Sequence, residues 1–422
     1  MRWDAMDQRA SELLLALCRR GVSATSASLA ASFLAKEPLR ARLLEVALRH
    51  GLVGLVLARV EESGDLGALP EEVRVPVQRE LKRLRMRAAL MQIERDLVLA
   101  TLGEANVHPV VLKGAGLATT VFAAPVERDF GDIDVLLPTA EFDAAVAALE
   151  GRGYQNPMSA AATNGYRAHH FHIRMQRPGA TIVELHWGLV SREELFRLDA
   201  PIFLERSVDA GAAAVRTSGS TGAQVQMRVP CPEHALLHTV LECARGAFSR
   251  VKWLVDIDRI VAGAPVLDWE YVVAGAREAS LLPTLWLSLE LSNRLLGTQI
   301  PAAVLTHARP SWVARVHLTL LHPAEFMMRQ RTVDRASSAD LLRLWLLANR
   351  SRAAWLARLV TPAADDPLQW MWDDLAERPS APPTWRQRAA RAGKLIADQG
   401  ATYAAGVRDL LTREGRARLR MW

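Results

Sequence analysis

The feature that most constrains the fold is a pair of aspartates at the start of an apolar run, Asp-Ile-Asp-Val-Leu-Leu at residues 132–137. In a β-strand, residues two apart project to the same side. Asp132 and Asp134 would therefore share one face, while the intervening apolar residues would face a core. The pattern predicts a strand that begins with two carboxylates.

These two carboxylates indicate a cation site. Like charges on one face repel, and burying them costs free energy unless a cation lies between them. Oxygen ligands of this kind suit Mg²⁺, and Mg²⁺ beside paired carboxylates is typical of phosphate chemistry. Asp132 and Asp134 are therefore candidate metal ligands.

A lysine–glycine pair lies upstream, at the end of a second strand-like run over residues 107–112. Glycine lets backbone N–H groups approach an anion closely, and a helix over residues 115–122 would point its positive end at that anion. We expect Lys113, Gly114 and Ala115 to form a phosphate-binding turn. Lys113 is one of only five lysines in the chain, so it is a better functional candidate than any single arginine.

Two further segments, residues 171–176 and 181–187, alternate in polarity around an Arg-Pro-Gly turn. This pattern predicts a β-hairpin. Alternation places Glu184 and His186 on one face of the second strand. The hairpin can bring that face beside the two aspartates.

Three motifs occur in order: Leu-Lys-Gly at 112–114, Arg-x-x-Gly-Asp-Ile-Asp at 128–134, and Val-Glu-Leu-His-Trp at 183–187. In this order and spacing, the chain resembles the uncharacterised bacterial nucleotidyltransferase family of the polymerase-β-type superfamily. The motifs span roughly residues 106–190, under a quarter of the chain. Many superfamily members carry Gly-Ser after the first strand. This chain has Gly114-Ala115, which offers no hydroxyl to a phosphate.

The resemblance implies a set of site residues. Asp132, Asp134 and Glu184 would hold two Mg²⁺ (or Mn²⁺) ions beside the α-phosphate of a nucleotide. His186 would act as a base, contact a phosphate or orient Glu184, and we favour the orienting role. Arg128 would brace the triphosphate or the aspartate strand, unless it forms a structural ion pair with a neighbouring acid, Glu127 or Asp129.

The resemblance also implies an activity. We expect an enzyme that moves a nucleoside monophosphate, AMP from ATP, to a hydroxyl or phosphate acceptor and releases pyrophosphate. Family members occur beside peptide-modification genes, so a peptide is one candidate acceptor; a small molecule and another protein are the others.

Helical patterns flank this central segment. We predict a helical N-terminal region over 1–105, a nucleotidyltransferase core over 106–207, a flexible excursion over 208–229 and a helical C-terminal domain over 230–422. With about four strands and helices on one side, the fold class is α+β, with a small mixed-sheet core between helical regions.

One helix of the N-terminal region is predicted to be long, from residue 71 or 76 to about 105. On it Arg79, Arg83 and Arg87 recur at intervals of four. We interpret this basic stripe as a solvated helix face rather than a binding surface.

Composition narrows the partners and the compartment. The net charge is +6, but the basic residues are spread along the chain, so we do not expect nucleic acid to be a partner. No charge-free apolar stretch is long enough to span a membrane, and the N-terminus does not read as a signal peptide. Three widely spaced cysteines argue against a disulfide framework. We expect a cytoplasmic protein.

Three other interpretations stay open. The first is a catalytically silent nucleotide-binding scaffold or sensor, which the Gly114-Ala115 departure favours slightly. The second is a nucleic-acid-modifying or toxin–antitoxin nucleotidyltransferase, which would need a clustered basic face. The third is a transition-metal site formed by His186 with the histidines of the opposing strand, His169, His170 and His172. A Mg²⁺ site with oxygen ligands explains the spacing of the carboxylates without a transition metal.

Overall fold

The computed structural model describes residues 5–311, apart from gaps at 22–23, 159–162, 164–166, 168–169, 192–195, 214–226, 247 and 265. The predicted C-terminal helical domain can therefore be followed only as far as residue 311. Its continuation, like His169, lies outside the described residues.

The N-terminal part of the chain is helical, as the apolar spacing predicts. Its helices are α1 (Ala5–Cys18), α2 (Ala24–Ala35), α3 (Glu37–His50), α4 (Val53–Glu62) and α5 (Glu71–Glu104). The apolar pattern over residues 37–60 forms two helices, because Gly51 adopts a left-handed conformation (φ 70°) and ends α3. Helix α5 is the predicted long helix and has 34 residues.

The described residues contain one six-stranded sheet. Its strands are β1 (Val110–Val111), β2 (Asp132–Leu136), β3 (His172–Met175), β4 (Ile182–His186), β5 (Val208–Asp209) and β6 (Arg228–Val229). The order is β3-β4-β2-β1-β6-β5, with parallel pairs β2–β4 and β1–β6 and antiparallel pairs elsewhere. The prediction of about four strands was too low, because β5 and β6 have only two residues each and show no alternation.

Short helices follow the strands. They are α6 (Lys113–Thr120), α7 (Phe142–Glu150), α8 (Ala200–Glu205) and α9 (Ala210–Ala213). Helix α6 begins two residues earlier than predicted and ends two earlier.

The chain returns to helices after β6: α10 (Pro232–Arg245), α11 (Lys252–Gly263), α12 (Trp269–Glu278), α13 (Leu282–Leu291) and α14 (Ala302–His307). They share one hydrophobic core with α1–α4, whereas the sheet and the second half of α5 enclose another. The α+β prediction is confirmed. The proposed boundaries at residues 105, 207 and 229 stay predictions.

No helix among the described residues combines the length and the apolar character that a bilayer crossing requires.

Candidate active site

The parallel pair β2–β4 brings three carboxylates together. Its register places Asp134 beside Glu184, and oxygen atoms of Asp132, Asp134 and Glu184 lie within 4.8 Å of one another. The residues between them, such as Ile133 and Val183, are fully buried on the other face of the sheet. Two-residue alternation in adjacent strands therefore produces the cluster.

Lys113 lies at the junction of β1 and α6 and contacts this cluster. Its Nζ donates a hydrogen bond of 2.7 Å to Oδ1 of Asp134. Its backbone is left-handed (φ 47°), a conformation that costs a non-glycine residue about 1–2 kcal/mol. Burial disfavours the charged amine, but the combined charges of Asp134, Glu242 and Glu184, with the hydrogen bond to Asp134, raise the pKa of Lys113.

His186 is buried between two of the carboxylates. Its Nε2 lies 3.0 Å from Oδ1 of Asp134 and 3.5 Å from Oε2 of Glu184. Burial opposes protonation, but hydrogen bonds to Asp134 and Glu184 raise the pKa of His186. The ring therefore contacts Asp134 more closely than Glu184, which was its predicted partner.

Glu184 has further partners on the hairpin. Nε of Arg174 donates to Oε1 at 3.0 Å, and Nε2 of His172 lies 3.8 Å from Oε2. Burial alone would raise the pKa of Glu184, but its hydrogen bond with His186 and nearby positive charge lower it. Glu184 is therefore ionised and oriented from two sides.

Asp132 differs from the other two acids, because it has no ion-pair partner within the described part of the chain. Burial and the charges of Asp134 and Glu184 raise its pKa to about 6. A carboxylate whose charge is left uncompensated among oxygen donors is what a hard divalent cation would stabilise. Asp132, Asp134 and Glu184 therefore fit a divalent cation.

A cavity of about 430 Å³ adjoins the cluster, between α6, α10, α11 and the end of β1. One part of its wall carries charge, including Lys113, Asp132 and Lys252. Another part is apolar and includes Val229, Pro230 and Ile260. The cavity thus combines polar and apolar walls, as small-molecule sites commonly do.

Arg128 does not reach into solvent at this site. Its guanidinium makes two hydrogen bonds, of 2.6 and 2.9 Å, to the carboxylate of Asp256 on α11. Both residues are buried. Neither of the acids considered from the sequence, Glu127 or Asp129, is the side-chain partner, although Arg128 also donates to the backbone oxygen of Asp129.

The glycine of the lysine–glycine turn is required by packing. A Cβ at Gly114 would lie 2.8 Å from Cβ of Phe130 and 3.2 Å from Nη1 of Arg128. The side chain of Ala115 is fully buried, so it packs in the core and does not line the cavity. Backbone N–H groups and Lys113 stay the candidate phosphate contacts of this turn.

Helix α10 adds residues that the motifs did not indicate. His238, Thr239 and Glu242 line the cavity at helical spacing. Burial opposes ionisation, but the charges of Lys113 and Arg245 lower the pKa of Glu242 to about 2. The signal available in the sequence was a polar stripe on an otherwise apolar helix.

Lys252 at the start of α11 completes the charged wall. Burial and the nearby charge of Arg128 lower its pKa to about 8. An anion in the cavity would stabilise the charged form of Lys252.

A second set of potential ligands overlaps the first: nitrogen atoms of His172 and His186 lie within 4.8 Å of an oxygen of Glu184. The two rings stack, with centroids 4.9 Å apart. Since Nε2 of His186 is at hydrogen-bond distance from Asp134, protonation there leaves no lone pair for a metal. The three carboxylates are the better metal site.

A family model described as uncharacterised nucleotidyltransferase matches residues 39–297. The match covers more than half of the chain, and the protein belongs to this family. It extends well beyond the motif segment on both sides, from within α3 to shortly after the end of α13. Neither the comparison with curated proteins nor that with solved structures found a match.

Proposed function

We propose that this protein is a Mg²⁺-dependent nucleotidyltransferase that moves AMP from ATP to a hydroxyl or phosphate acceptor and releases pyrophosphate. The observation that supports this most is the convergence of Asp132, Asp134 and Glu184 within 4.8 Å beside a cavity large enough for part of a nucleotide. Family membership supports the reaction class.

Asp132, Asp134 and Glu184 would hold the metal. A bound divalent ion supplies Lewis-acid stabilisation of charge on phosphate oxygens and activates an acceptor hydroxyl. Mn²⁺ has similar ligand preferences and could replace Mg²⁺.

Lys113 and Lys252 would bind the phosphates from the wall of the cavity. Lys113 already balances Asp134 in the structure, so its ammonium is held at the border between the carboxylates and the cavity. Lys252 has a pKa near 8 and would become fully charged beside a phosphate. Phosphoryl-type transfer depends mainly on such positioning and electrostatic stabilisation.

His186 and Arg174 would act as positioning residues. Each contacts a carboxylate through a nitrogen at 3.0 Å, and partners of this kind fix the direction in which a metal ligand points. The pair Arg128–Asp256 would fix the segment before β2 against α11, which keeps Asp132 at the edge of the cavity.

The apolar wall of the cavity would accommodate the nucleobase. The acceptor is a peptide, a small molecule or a protein, and it would approach from the open side of the carboxylate cluster.

A labelling experiment tests the reaction class. The full chain is incubated with Mg²⁺, a size-fractionated extract as the source of acceptors, and ATP labelled at either the α or the γ phosphate. We expect product labelled only from the α position, together with free pyrophosphate. Asp132→Asn combined with Asp134→Asn should abolish labelling, while Glu150→Gln, at an exposed carboxylate at the end of α7, should not. Label transferred from the γ position would contradict the proposal.

A second candidate is a nucleotide-binding protein without turnover. The observation that favours it is Ala115, whose buried side chain replaces a hydroxyl that many related sites have. Binding of Mg²⁺-ATP without any transfer would identify this function.

A further inference from the structure

Helix α5 is apolar on two opposite faces. One face, which includes Val77, Leu81, Ala88 and Val98, is buried against the rest of the molecule. Burial of this face holds the helix in place along most of its length. It does not explain why the opposite, exposed face is also apolar.

The outer face carries a continuous apolar stripe of four side chains. Met86, Leu90, Ile93 and Leu97 are 58%, 63%, 57% and 59% exposed. These four are nearly half of the nine large apolar side chains that are exposed in the described part of the chain. Contiguous exposed apolar surface of this kind marks an interaction site more often than a free surface.

The spacing of this stripe identifies the kind of partner it fits. Steps of four, three and four residues are the a and d positions of a heptad repeat, which pack knobs-into-holes against another helix. A second helix of the same spacing would fit the stripe, and a second copy of α5 provides one.

The charges at the two ends of the stripe set the orientation. Three arginines lie before or beside its start, at Arg79, Arg83 and Arg87, and an exposed acid, Glu104, lies after its end. A parallel pair would bring like charges together along the seam. In an antiparallel pair centred between Leu90 and Ile93, the charges are complementary.

We propose that the protein forms a symmetric homodimer in which the exposed stripe of α5 packs antiparallel against the partner's α5. Leu90 then meets the partner's Ile93, Met86 meets the partner's Leu97, and Arg79 meets the partner's Glu104. The contact is isologous and closes on itself, as two-fold interfaces do.

The charged residues at the two ends of the stripe set the orientation of the two helices and add little to the affinity. Glu104 already has an exposed ion pair with Arg152 at 3.0 Å, and exposed pairs contribute little free energy. The four apolar layers would provide the affinity, and the charged ends would disfavour parallel pairing.

Sedimentation of the full chain over a range of concentrations tests the dimer. The wild-type protein should sediment at twice its mass of 46.5 kDa. Leu90→Glu would place a charge in the centre of the seam and should raise the dimer dissociation constant about thirtyfold or more. The matched control is Leu48→Glu, because Leu48 is 72% exposed on α3, away from the stripe, and it should leave the dimer intact.

Cysteine cross-linking tests the orientation. Mixing a Leu90→Cys chain with an Ile93→Cys chain should give more disulfide-linked dimer than either chain alone. The native cysteines are buried and should not compete. Predominant linking of Leu90→Cys to itself would overturn the antiparallel arrangement.

Three results would overturn the interface itself. The first is a wild-type protein that stays monomeric at every concentration. The second is a dimer that Leu90→Glu does not weaken. The third is a monomer whose melting temperature falls on Leu90→Glu but not on Leu48→Glu, because another segment of the same chain would then cover the stripe.

Discussion

Two groups of buried charge adjoin the same cavity, and they are built differently. Arg128 and Asp256 form a one-to-one pair with two hydrogen bonds and almost no exposure. In the other group, Asp134 and Glu184 are matched by Lys113, His186 and Arg174, but Asp132 has no ion-pair partner among the described residues, and its pKa is raised to about 6. A balanced pair holds two parts of the fold together, whereas an unbalanced carboxylate provides a place for a cation.

The two groups should therefore respond differently to substitution. Removing half of the balanced pair leaves a buried charge and should harm folding. Removing the unpaired acid relieves repulsion and should harm only the activity. Stability lost at a functional site in this way is common in enzymes.

The largest effect is expected at Glu184. Glu184→Gln keeps the size of the side chain but would remove a charged ligand from the proposed metal site, so the rate of α-phosphate transfer should fall at least about a thousandfold. Labelled-product formation measures this, with Glu150→Gln as the control. A rate within tenfold of wild type would remove Glu184 from the metal site.

Substitution in the balanced pair, Arg128 and Asp256, should lower the free energy of unfolding. Arg128→Met leaves Asp256 buried without its partner and should lower the free energy of unfolding by about 3–5 kcal/mol, as measured in urea. The double variant Arg128→Met with Asp256→Leu should recover most of this loss.

The control for the buried pair is the exposed pair Arg152–Glu104, where Arg152→Met should change stability little. If Arg128→Met is as mild as Arg152→Met, the pair does not stabilise the fold, and the contrast between the two groups fails.

His186 should show an intermediate effect. In the proposed site His186 would orient Asp134 rather than bind the metal, so His186→Gln should lower the transfer rate about 10- to 100-fold and weaken the apparent affinity for Mg²⁺. Rates measured against Mg²⁺ concentration separate the two effects. A loss larger than that of Glu184→Gln would instead indicate a direct role as a base.

The smallest effect concerns pH and Asp132. The folded-state pKa of about 6 lies above the ordinary value of 3.8, so the folded state binds more protons between these values, and stability falls as pH rises through the window. In the absence of divalent ions, Asp132→Asn should therefore raise the free energy of unfolding above pH 6. The residue is partly exposed, so we expect about 1 kcal/mol.

Urea unfolding of both proteins between pH 4 and 8 tests this. The difference between wild type and Asp132→Asn should grow through the window and then level off. A variant that is less stable than wild type above pH 6 would show that the charge of Asp132 is compensated after all.

Local periodicity explains what the sequence could predict. The two-residue repeat placed Asp132 with Asp134 and Glu184 with His186, and the structure has both pairings because alternation depends only on neighbouring residues. The long helix α5 was predictable for the same reason, since its apolar spacing extends over many turns.

Contacts between distant residues could not be predicted in this way. The partner of Arg128 is 128 residues away, and the approach of α10 to Lys113 depends on how the helices after β6 pack. The two-residue strands β5 and β6 were missed because two residues carry no periodic signal. The outer stripe of α5 was obscured by the buried face of the same helix.

The most direct test of the carboxylate cluster as a metal site is calorimetric titration of a non-hydrolysable ATP analogue in the presence and absence of Mg²⁺. We predict that wild-type protein and the Glu150→Gln control bind the analogue tightly only with Mg²⁺, and that Asp132→Asn combined with Asp134→Asn abolishes this dependence. Equal, Mg²⁺-dependent binding by wild type and the double variant would contradict the assignment of the carboxylate cluster as the metal site.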